Sequence, residues 1–69
     1  MVSAEAVSKV IEIFYRRTKN PEVINKIKEA GWKLSEEDFF NYVMGVAWNH
    51  SIPLTPKDVA EIKAVLGLL

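Results

Sequence analysis

The chain has 69 residues, no cysteine and a single histidine. Without cysteine, neither a disulfide nor a thiolate metal centre can staple the fold. One histidine and scattered carboxylates form no transition-metal ligand cluster. Nucleophilic catalysis needs an activated nucleophile with a base in reach, and His50 lies twelve residues beyond Asp38, the nearest acid on its own predicted helix. The three glycines are isolated, so there is no glycine-rich phosphate loop. No apolar run approaches the ~20 residues that span a bilayer. The opening MVSAEAVSKV lacks the basic and unbroken apolar regions of a signal peptide. The expectation is a single soluble, cytoplasmic domain over residues 1–69, with no cofactor and no metal.

What is present suits a small helical core. The hydrophobic share is 49%, enough to pack and too high for a disordered chain. A chain this short buries only ~60% of its unfolded surface, so its stability rests on helix packing or on a partner. The net charge is zero but unevenly spread: residues 1–33 carry seven Lys/Arg against four Glu, and residues 34–69 carry two Lys against five Asp/Glu. Such polarity can orient a partner, yet it is not the broad basic surface of a nucleic-acid binder.

Helix punctuation is legible throughout. Ser3 caps a first helix with Val7, Val10, Ile11 and Phe14 at helical spacing, and Arg16, Arg17 and Lys19 gather where a helix end favours cations. Asn20-Pro21-Glu22 opens a second helix with Val23, Ile24 and Ile27 on its apolar face. Gly31 is expected to end it in the left-handed conformation, with Trp32 folding back onto Ile27. Ser35 and Asp38 form an acidic capping box with Leu34 and Phe39 as staple, and Thr55, Pro56 and Asp58 repeat the pattern with Leu54 and Val59. Ile62, Val65 and Leu66 face the core and Gly67 is the stop. The predicted fold is an all-α domain of four helices over 3–17, 21–30, 36–50 and 56–66, with short loops and the third helix central. The acids Glu36, Glu37, Asp38, Asp58 and Glu61 fall in or near first helical turns, where dipole chemistry explains them and burial is not expected.

The third helix carries a surplus. Phe39, Phe40, Tyr42, Val43, Met44, Val46, Ala47 and Trp48 leave only a narrow stripe of Asn41, Gly45 and Asn49, an apolar arc wider than a surface helix needs. Either this helix is wrapped by the other three, or the flank of Asn41, Met44, Gly45 and Trp48 is the contact for a partner helix or a second copy. Leu68 and Leu69, beyond the predicted stop, also ask for cover, which tilts the expectation towards a homodimer. Arg16, Arg17, Lys19, Lys26 and Lys28 form the one basic strip that a nucleic-acid-binding regulator could use. A helix-turn-helix reading is disfavoured, because the reading helix would open with Glu36, Glu37 and Asp38.

The stretch NPEVINKIKEAGWKLSEEDFFNYV, preceded by SAEAV, resembles the leader domain of the nitrogen-fixation-associated family of peptide precursors. The matching positions are Asn20, Pro21 and Glu22, then Glu29, Ala30, Gly31 and Trp32, then Ser35, Glu37 and Asp38. The resemblance implies a non-catalytic domain that another protein reads. A protein-recognition or adaptor domain is therefore the favoured reading. A nucleic-acid-binding regulator and a small-ligand carrier with a helical cavity are its competitors.

Overall fold

A computed structural model describes all residues from Met1 to Leu69. Four helices and no strand make up the chain: α1 (Ala4–Tyr15), α2 (Pro21–Gly31), α3 (Glu36–Asn49) and α4 (Pro56–Val65). None is long and apolar enough to cross a membrane. Each begins on a residue that is extended and whose side chain accepts a backbone N–H of the first turn: Ser3 from Ala6, Asn20 from Glu22, Ser35 from Asp38 and Thr55 from Asp58. Such caps satisfy donors that the helix itself leaves unpaired. Only α4 has the reciprocal box, in which Asp58 also accepts the Thr55 N–H; at Ser35 the capping is one-sided.

The packing order differs from expectation. α1 packs against both α2 and α4, whereas α3 packs chiefly against α2. The helix buried on two sides is thus α1, and α3 stands at one end of the arrangement. Buried side chains show why. At ~100° per residue, Val10, Ile11, Ile13 and Phe14 of α1 sweep an arc of about 160°, against about 100° for Phe39, Val43, Val46 and Ala47 of α3. The central helix is therefore α1 and not the third helix that the sequence suggests, and Tyr42 and Trp48 of α3 remain exposed.

Gly31 also departs from expectation. It is the last residue of α2 and has no positive φ; the cap is Trp32, in right-handed helical geometry. The chain leaves α2 through further right-handed turns, with the Lys33 and Leu34 N–H groups both donating to the Ala30 carbonyl at 3.0 Å. Trp32 does not cover Ile27 but stands 72% exposed. The reason for glycine is close approach: a Cβ at position 31 would overlap the Val7 side chain of α1. Beside this crossing the buried Val2 donates its N–H to the Gly31 carbonyl at 3.0 Å.

The left-handed caps are elsewhere. Gly67 has φ 72°, with the Gly67 N–H on the Ala64 carbonyl and the Leu68 N–H on that of Lys63. This is a Schellman closure, and it folds the half-buried Leu68 back onto the core. At the end of α3 the same closure is made by Ser51 (φ 55°), with the Ser51 N–H on Trp48 and the Ile52 N–H on Ala47.

Candidate recognition surface

Asn41, Met44, Gly45 and Trp48 are brought together by helical geometry. Setting the middle of the buried arc of α3 as reference, Trp48 lies about 150° away on the outer face, with Met44 and Asn41 within about 40° of it. Asn41 and Gly45 are exposed, Met44 is half-buried, and Trp48 is 86% exposed. A Cβ built on Gly45 would meet no atom within 4 Å. Nothing within the molecule therefore requires glycine there, although a mid-helix glycine destabilises by ~1 kcal/mol relative to alanine. Tyr42 is exposed on the neighbouring flank. Phe40, on the other, packs against the core with Lys63 of α4 5.4 Å from its ring centre.

Most residues of the basic strip are engaged within the chain. Arg16 makes a two-pronged contact with Glu61 (3.1 and 3.2 Å) and lies 3.7 Å from Asp58. Arg17 grips Asp58 through Nε and Nη2 at 2.8 and 3.2 Å. Lys19 lies over the Tyr15 ring. Lys26 stands 3.4 Å from His50 Nε2, so the histidine that ends α3 is engaged by α2.

Asp58 is the buried acid that the sequence reading did not expect: it is 1% exposed. Its Oδ2 accepts from Arg17 Nε and from the Thr55 N–H at 3.0 Å, and its Oδ1 accepts from Arg17 Nη2. The Arg17 hydrogen bond is the main cause holding its pKa down, from 3.8 to about 2, against the opposing effect of burial. The two guanidinium groups are shifted upward in turn, Arg16 chiefly by its hydrogen bond with Glu61 and Arg17 by its hydrogen bond with Asp58. The opposite charges of the two halves of the chain were the available signal. Arg16 and Arg17 also suit the end of a helix, so their position alone does not point to a distant partner.

A second feature unseen in the sequence is an open groove between the start of α1 and the end of α2, about 510 Å³ in volume. The outward-turned Trp32 is one of its lining residues. No protein-family model, curated protein or solved structure matches the chain.

Proposed function

We propose that the chain is a non-catalytic recognition domain of the cytoplasm, bound by a helix of another protein through the outer face of α3, as a leader-like segment is read by its enzyme. The observation that carries this reading is the pairing of an 86% exposed Trp48 with Met44 and an unobstructed Gly45. An indole offers a large apolar area with one N–H to place, and tryptophan dominates many interfaces. An open glycine lets a facing backbone approach closely. Asn41 adds an amide that can fix register. The alternative, a nucleic-acid-binding regulator using Arg16, Arg17, Lys19, Lys26 and Lys28, draws less support, because both arginines are ion-paired to Asp58 and Glu61.

The test begins with a photo-crosslinking residue at position 41 in the native host, compared with one at the exposed Glu12 of α1. The protein captured through position 41 is then purified and its affinity measured. Trp48→Ala and Gly45→Ala are expected to weaken binding roughly tenfold or more while both variants stay folded. Unchanged affinity in both variants would exclude this face. Capture of a second copy of the chain, with a matching dimer in sedimentation, would assign the face to self-association.

A further inference from the structure

The groove between α1 and α2 is independent of the α3 face. The buried Val2, Ile11 and Gly31 and the half-buried Val7 form its floor, and the exposed Met1 and Trp32 flank it. The only charged side chain among its lining residues is Lys28, which has no ion-pair or hydrogen-bond partner within the chain; the amino group of Met1 is a second cation there. Its polar companions, Ser3 and Ser8, are neutral. The nearest acid at the start of α1, Glu5, lines a different recess, where it pairs with Lys9 at 3.7 Å. The groove thus combines an apolar floor with positive charge and no acid among its lining residues. Its volume falls in the range of roughly 300–1,000 Å³ typical of small-molecule sites.

We infer that this groove binds a small amphiphile: one short acyl chain laid along Val7 and Ile11, with a carboxylate head directed to Lys28. Size favours this occupant over a docked helix. The α1 residues lining the groove, Ala4 to Ile11, span only about 10 Å along the helix axis, too short for a multi-turn partner. The sign of Lys28 selects an anion over an alcohol or a cation, and Trp32 supplies an aromatic wall for the chain. The apolar tail removes water from Val7 and Ile11, which is the driving force for entry.

Decanoate, decanol and decyltrimethylammonium, each kept below its micelle concentration, are the probes. NMR titration follows the Val7 and Ile11 methyl groups and the two indole N–H signals. The expected result is saturable binding, tightest for decanoate, with shifts centred on Val7, Ile11 and Trp32 and absent at Trp48. Lys28→Gln, at an exposed site, should weaken decanoate by about fivefold and reduce its advantage over decanol. Ser8→Phe places a ring in the groove from an exposed position and should block all three; if that variant does not fold, Lys28→Gln alone decides. Equal binding of decanoate and decanol to the unaltered chain overturns the inference. So does a Lys28→Gln variant that binds decanoate as before, a response that does not saturate, or shifts centred on Trp48. A groove indifferent to decanoate but filled by an acidic helical peptide overturns it as well.

Discussion

Single residues decide how closely the helices meet and how they end. Gly31 is required by its neighbour and not by its own backbone angles, since a Cβ there would overlap Val7. Gly31→Ala is therefore expected to destabilise the fold by about 1–3 kcal/mol, the usual range for overpacking. Val7→Ala should relieve part of that loss, so the double variant will be less destabilised than the two single losses together. Strict additivity in chemical denaturation would return Gly31 to a simple backbone role. Ser51 poses the opposite case. It holds a left-handed conformation that disfavours residues bearing a Cβ. Ser51→Gly should stabilise by about 0.5–1 kcal/mol, read as a rise in melting temperature, and a fall would show that the Ser51 side chain compensates for the strain.

At the scale of the helix, α3 carries more apolar side chains than its single buried face uses. Gly45→Ala should raise stability by about 1 kcal/mol, because alanine is the better helix former and the added methyl group meets open space. Trp48→Ala should leave stability within about 0.5 kcal/mol, as expected of an exposed position without partners. Cooperative melting in both variants checks this, and a collapse of Trp48→Ala would make the indole structural. The helices themselves were legible in the sequence because their punctuation is local. Ser3, Asn20-Pro21, Ser35 and Thr55 act on backbone groups within three residues, and so does Gly67. The order of packing was not legible, because it depends on which apolar arcs meet across long separations. The burial of Ile13 and the outward turn of Trp32 have no local signature. The Asn41, Met44, Gly45 and Trp48 flank could be drawn from helical spacing alone, but whether it faced a neighbouring helix could not.

For the whole molecule, the link from α1 to α4 governs the response to pH. The folded state holds the Asp58 pKa near 2, below its ordinary value of 3.8. A depressed acid stabilises the fold fully above its unfolded pKa and stops doing so as pH falls through its folded pKa. At ~1.4 kcal/mol per pKa unit, about 2 kcal/mol should disappear between roughly pH 5 and pH 2. Arg17→Met should flatten that slope and, by leaving a buried carboxylate short of a partner, lower stability at neutral pH. Denaturation midpoints across that pH range provide the check; an unaltered slope would mean that another acid is responsible.

The same link has a consequence in time. Arg16 and Arg17 reach partners 45 and 41 residues further along the chain. On a ribosome, α1 and α2 can meet early, yet one side of α1 stays uncovered until α4 has left the exit tunnel. Nascent chains halted before Pro56 should therefore remain protease-sensitive within α1, and release of α4 should protect it in one step. If closure by α4 comes after the rate-limiting barrier, Arg17→Met will speed unfolding while leaving refolding nearly unchanged, and stopped-flow measurements of both rates can establish that order.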